Sequence, residues 1–311
     1  AGAKPGSITR RITDITDAIT RRLLTLAEDR LGPPPVPYLW AACGSQGRRE
    51  QTGVSDQDNC LILDDAFRPD DHDAYFAEMA KIVSDGLATC GFYYCPGDMM
   101  ATNPRWRQPR RVWREYFDRW IRQPDTEAQM LASVMFDLRA IAGETALFEN
   151  LQEEVLAKAK KNSIFVAHMI SNSLKHSVPL GFFRGLTLIR SGENRNTIDL
   201  KASGVVPVVD LGRIYALLGS LTASGTRDRI EGARAAGVIS ESGAHDLLDA
   251  YDLIAETRLR HQAGQVAQGE KPDNFMNPAE MSDLERNHLR DAFMVVKTMQ
   301  SAIGQSRGAR E

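Results

Sequence analysis

The sequence predicts an α+β protein, with a small mixed sheet and flanking helices in front and an all-α helical bundle behind. Three observations carry this reading. Short apolar runs alternate with helical patterns in the first third of the chain. From Thr126 onward the signals are nearly all helical. A Pro-rich break, "GPPPVP" at 32–37, separates the first helix from the first strand. At 311 residues the chain suits two domains. The expected division is a helix and Pro-rich linker over 1–36, an α/β domain over 37–145 and a helical domain over 146–311.

Each element has its own signal. Ile12, Ile15, Ile19, Leu23 and Leu26 recur at helical spacing and predict a helix from about Ser7 to Leu31. "YLWAAC" (38–43) and "NCLILDD" (59–65) read as buried strands. The segment 73–91 reads as a helix ending at Gly91, and "FYYC" (92–95) as a short third strand. Trp106, Trp113 and Trp120 are seven residues apart and share a face if the segment is helical, a packed stripe beneath an arginine face that could also meet phosphate or an acidic partner. Pro109 marks that helix's start. Behind lie helices over 207–221, 226–236, 240–268 and 282–305, the last opened by a Ser282/Glu285 capping box.

Composition narrows the classes. A net charge of -3 argues against an extended nucleic-acid surface and leaves room for a local basic site. The four cysteines lack zinc-ribbon spacing and read as reduced, buried and structural. The histidines show no metal-ligand spacing. Apolar runs fall short of a membrane span and no signal peptide is read, so the expected place is the cytoplasm, away from membranes. The first residue is Ala, which suggests a piece of a longer chain.

The chemistry concentrates in "CGSQGRREQTGVSDQDNCLIL", residues 43–63. Gly44 lets the backbone turn sharply and Ser45 adds a small hydroxyl, a turn suited to cradling phosphate. Asp56 and Asp58 alternate around Gln57, so both carboxylates fall on one face of the strand. Two such carboxylates with phosphate nearby are what Mg²⁺ requires. The turn is neither a dinucleotide fingerprint nor a P-loop.

Gly-Ser followed about a dozen residues later by Asp-x-Asp and an apolar strand resembles the DNA polymerase β-type nucleotidyltransferase superfamily. More closely, the segment resembles the nucleotidyltransferase family called domain of unknown function 294, which is similar to the front of bacterial PII uridylyltransferases. The likeness continues through "CPGDMMATNPRW" (95–106), "FDLRAIAGE" (136–144) and "IDLKASGVVPVVDLGRIYALL" (198–218). It implies a polymerase-β-like fold in front and transfer of a nucleoside monophosphate from an NTP to a hydroxyl of a protein or small molecule, with pyrophosphate released. On that likeness Asp56 and Asp58 hold two Mg²⁺ ions, with Mn²⁺ as a substitute, and Asp137 completes the second site. Asp98 and Asp64 compete for the third position, and a salt bridge to Arg139 or a neighbouring helix is the other role for Asp137. Gly44, Ser45 and Gln46 would cradle the terminal phosphates. Arg48 or Arg49 would neutralise charge, although one of them could pair with Glu50 instead. Lys175 or Arg184 from the rear domain would reach the triphosphate. In related chains the unit sits behind CBS or cyclic-nucleotide-binding modules, and a homodimer is compatible with the family. A nucleotide- and Mg²⁺-binding sensor without turnover is the alternative function, and a helical domain that docks another protein is a third.

Overall fold

A computed structural model describes residues 3–181 and 185–308. The chain divides into two compact units, residues 7–162 and residues 163–311, and the first six residues group with the second.

The first unit is built on a four-stranded sheet of order β5-β3-β1-β6. Strands β1 (Tyr38–Ala42) and β3 (Asn59–Leu63) form its centre, antiparallel to each other and buried at every residue. Strand β6 (Arg139–Gly143) adds antiparallel to β1, and β5 (Arg107–Pro109) adds parallel to β3, so the sheet is mixed. Helices cover both faces of the central strands, which is why those strands read as continuous apolar runs. On one face Tyr38, Trp40, Leu61 and Leu63 pack with Leu24 and Ala27 of α1 (Pro5–Leu31) and with Phe76, Met79 and Val83 of α3 (Pro69–Thr89). Helices α4 (Arg110–Arg122) and α6 (Ala146–Lys161) also pack on the sheet, and α5 (Thr126–Met135) packs against α4. Trp113 of α4 is buried and donates its indole N–H to the Leu61 carbonyl at 3.1 Å. Trp106 and Trp120 are buried as well, so the tryptophan stripe is core. Pro109 stands at the α4 N-cap.

Three expectations change here. The sequence assigned α1 to a separate leading segment. Instead α1 belongs to the core of this unit, and Ile15 is 59% exposed while Thr13, Thr16, Asp17 and Thr20 are buried. The threonine hydroxyls are satisfied within the helix: Thr13, Thr16 and Thr20 each donate to the carbonyl four residues earlier. That lets a polar stripe pack, and Asp17 gives it a reason to face inward, as shown below. The boundary expected near residue 145 falls at 162/163, because α6 packs against β1, β3 and α4. The third strand, expected at 92–95, forms as β4 (Tyr93–Tyr94) but stays out of the main sheet. It pairs in parallel with the two-residue β2 (Asp56–Gln57).

The second unit is helical, as expected, with α7 (Ser163–Ser173), α8 (Val206–Gly219), α9 (Thr226–Ala235), α10 (Glu241–Ala267) and α11 (Asp283–Gly308). A two-residue ribbon, β7 (Ile198–Asp199) against β8 (Phe275–Met276), is the addition. The Ser282/Glu285 capping box forms in both directions. The stretch Lys201–Gly219 corrects the reading that no apolar run reaches membrane length. It is long and apolar enough to cross a membrane, and 67% of it is buried inside the unit, where Val208, Leu211 and Ile214 form core. A core helix buried all round needs apolar residues all round.

Candidate metal and nucleotide site

Strand β1 ends at Ala42, and the chain turns at once into the four-residue helix α2 (Gly44–Gly47). Two glycines make this turn possible. Gly44 has φ +57, and a Cβ there would lie 2.2 Å from Asp58 Oδ2. Gly47 lies against the Asp137 carbonyl, where a Cβ would come within 2.2 Å. The two glycines therefore let the turn sit directly on the backbone and carboxylate of two distant segments. The Ser45 Oγ is shielded from solvent and has no hydrogen-bond partner among the described residues. A buried hydroxyl left without a partner is costly unless a ligand completes it.

Asp56 and Asp58 are half-buried, whereas Gln57 between them is buried. The Gln57 amide donates to the carbonyls of Ser84 in α3 and Phe92, at 3.0 and 2.9 Å. That anchor turns Gln57 inward and both carboxylates outward on the opposite face. Register places Asp56 beside Tyr93, so Cys95, two residues on, shares the carboxylate face. Ligand atoms of Asp56, Asp58 and Cys95 all lie within 4.8 Å of one another. Burial, helped by Asp58, pushes the Cys95 thiol up to about 11, and the thiol hydrogen-bonds to Asp58. The two carboxylates suit a hard divalent cation, and the thiol does not.

Asp137 is 0% exposed and accepts a hydrogen bond from Arg48 Nη1 at 2.5 Å. Arg48 also bonds Glu50 at 2.8 Å. Burial acts against its charge, but Asp137 and Glu50 outweigh it, so the guanidinium is held protonated. Burial also raises the Cys43 thiol, to which Asp58 and then Asp137 contribute, so both carboxylates act on this one side chain.

The family described as "Putative nucleotidyltransferase DUF294" matches residues 1–127, and the one described as "Putative nucleotidyltransferase substrate binding domain" matches residues 163–306. The chain belongs to the DUF294 family. A comparison with the curated proteins finds no match.

In this DUF294 chain the expected site residues separate into groups. Gly44, Ser45, Asp56 and Asp58 come together at one end of the sheet. Asp137 is engaged with Arg48, and its expected partner Arg139 pairs elsewhere. Gln46 turns its amide to Asp17 at 3.0 Å. Arg49 is partly exposed and pairs with Asp14 at 3.4 Å. Asp64 lies at the far end of β3 and accepts from the Ala66 N–H, while Asp98 is exposed and held by Asn103. Lys175 is exposed in the second unit, just past α7, and Arg184 lies outside the described residues.

Two participants escaped the sequence reading. Cys95 was read as one of four buried structural thiols; Cys43 and Cys60 are buried, but Cys90 is exposed and Cys95 is half-buried at the carboxylates. Its signal was the alternation from Tyr93, legible only once β2 and β4 are known to pair. Asp17 of α1 is buried and binds both terminal nitrogens of Arg139, at 2.8 and 3.0 Å. Arg139 in turn donates to the Gln46 and Gly47 carbonyls at 2.9 and 3.1 Å. Helix α1 thus holds the Gly-Ser turn mainly through Asp17, which pairs with Arg139 and accepts from Gln46.

Three substitutions test this geometry. Asp17→Asn keeps the size but removes the charge beneath Arg139, and should cost about 1–3 kcal/mol of stability. NTP affinity should fall with it, because the turn loses its brace; unchanged melting and unchanged NTP titration together would reject the bracing role. Gly44→Ala should cost about 1–2 kcal/mol for the left-handed backbone alone and more for the overlap with Asp58. Ser45→Ala should leave melting unchanged, since the hydroxyl has no partner to lose, and weaken NTP binding by roughly 0.5–1.5 kcal/mol. Equal and negligible effects of the last two changes on NTP binding would remove the cradle.

Proposed function

We propose that this chain transfers a nucleoside monophosphate from an NTP to a hydroxyl of a protein or small-molecule acceptor, releasing pyrophosphate. The observation that carries the reading is the close approach of Asp58 to Gly44, which brings the Gly-Ser turn beside the Asp56/Asp58 pair. The turn carries at Ser45 a buried hydroxyl with no partner among the described residues, and the pair supplies two carboxylates.

Asp56 and Asp58 would hold Mg²⁺, as one or two ions, with Mn²⁺ as the substitute. Bound there, the metal supplies positive charge to the phosphate oxygens and lowers the pKa of the acceptor hydroxyl. Ser45 donates to a terminal phosphate oxygen, and Gly44 lets that phosphate approach the backbone. Gln57 keeps both carboxylates on the open face by its own two hydrogen bonds. Asp137 acts as the third carboxylate, positioned by Arg48, and takes the acceptor proton. Arg48 acts on the phosphates only through Asp137, because its guanidinium is already committed to two carboxylates.

The test is incubation with each labelled NTP and Mg²⁺ in lysate of the source organism, following pyrophosphate and the labelled species. One NTP should label one acceptor class with stoichiometric pyrophosphate. Mg²⁺-dependent NTP binding with no pyrophosphate would leave a nucleotide sensor, and no binding at all would remove both readings.

A further inference from the structure

A Mg²⁺ site needs oxygen ligands, yet the carboxylate centre includes a sulfur. Cys95 is not there by loop drift. The pairing of β2 with β4 sets it on the carboxylate face. Asn59, beside Asp58, then fastens the loop beyond it: its N–H donates to the Met99 carbonyl at 3.0 Å, and its Oδ1 accepts from the Ala101 N–H at 2.8 Å. The Cys95 N–H donates to the Met100 sulfur at 3.2 Å. Asp58 is equally confined, with its Oδ2 lying against Gly44. Three ligand atoms of mixed hardness therefore converge on fixed backbone, within 4.8 Å of one another. Oxygen ligands suit Mg²⁺, whereas thiolate selects thiophilic ions such as Zn²⁺.

We propose that Asp56, Asp58 and Cys95 form a mixed carboxylate–thiolate site for a thiophilic divalent cation of the Zn²⁺ class, and that its occupation denies the same carboxylates to Mg²⁺ and stops transfer. On binding, the Sγ–H bond breaks and its proton leaves to solvent. The sulfur electron pair forms the metal bond, and the thiol's hydrogen bond to Asp58 is given up. No electron is exchanged. The inhibitory half rests on the transferase reading; the binding half does not.

The two halves are measured separately. The metal-free 311-residue chain is titrated with Cd²⁺ without nucleotide, following the sulfur-to-cadmium charge-transfer absorption. A saturable band should form with equimolar Cd²⁺, resist excess Mg²⁺ and disappear on adding Zn²⁺. Loss of a residue that merely supports a metal ligand costs about 10- to 100-fold in affinity, so Cys95→Ser should lose the band and at least about 100-fold in affinity. Asp56→Asn should keep the band with weaker affinity, and Cys90→Ser, at an exposed thiol, should keep it unchanged. Melting curves of each variant confirm that it is folded. No band in the wild type, a band that survives Cys95→Ser, or a band cleared by Mg²⁺ would overturn the site. In the transfer assay equimolar Zn²⁺ should inhibit against excess Mg²⁺, and Cys95→Ser should lessen that inhibition relative to its own uninhibited rate. A band without any transfer activity leaves this site standing and removes the transferase reading. Transfer that is indifferent to Zn²⁺ removes the inhibition alone.

Discussion

Asp58→Asn is expected to abolish nucleotide transfer while leaving the protein folded. Asp58 is the carboxylate on which the site converges. It meets Asp56 and Cys95 on one side, and Gly44 leaves it room on the other. The amide keeps the volume that packs against Gly44 but loses the charge that would hold a cation. Metal binding supplies several kcal/mol of transition-state stabilisation, so the rate should fall at least about 10³-fold. Folding should be nearly unaffected, because removing one of two neighbouring negative charges relieves repulsion in the metal-free chain. Asp56→Asn should behave alike. The measurement is pyrophosphate release with Mg²⁺ and the accepted NTP, paired with thermal melting. Wild-type turnover in either variant would remove the carboxylate pair from the chemistry.

Arg48→Met should be among the most destabilising single changes in the first unit. It leaves Asp137, which is 0% exposed, without its guanidinium partner. Breaking a buried pair from one side typically costs about 3–5 kcal/mol. In a unit of this size that amounts to a fall of about 10 °C in melting temperature. Asp137→Asn should cost less, because Arg48 keeps Glu50, but turnover per folded molecule should collapse while binding of NTP with Mg²⁺ stays near normal. The double variant Arg48→Met/Asp137→Leu separates the two roles. Replacing both charges by apolar groups is often close to neutral for stability, so melting should recover and transfer should not. Recovery of transfer in the double variant would make the pair purely structural.

The motif was legible because its information is local. Alternation over three residues sets the facing of Asp56 and Asp58, and a glycine ahead of a serine marks the turn. The central strands were legible for a similar reason, since burial on both faces requires unbroken apolar runs at 38–42 and 59–63. The helical second unit was legible through its stripes and its capping box. Helical spacing located α1 but did not say which face it buries, and hydrophobicity alone ranks Ile15 above Thr16. Packing reversed that order: Asp17 has to meet Arg139, 122 residues away, and the threonines can satisfy themselves within the helix.

What the sequence determined by itself was the family, the α+β class and the two aspartates with their Gly-Ser turn. The tertiary structure alone decided who their neighbours are. Parallel pairing of two-residue strands brings Cys95 to the carboxylates, α1 braces the turn through Asp17, and Arg48 pairs with Asp137 and Glu50. Each of these is a pairing between segments far apart in the chain. The free energy of such a pair depends on burial and on the absence of competing partners, and neither exists until the chain has folded.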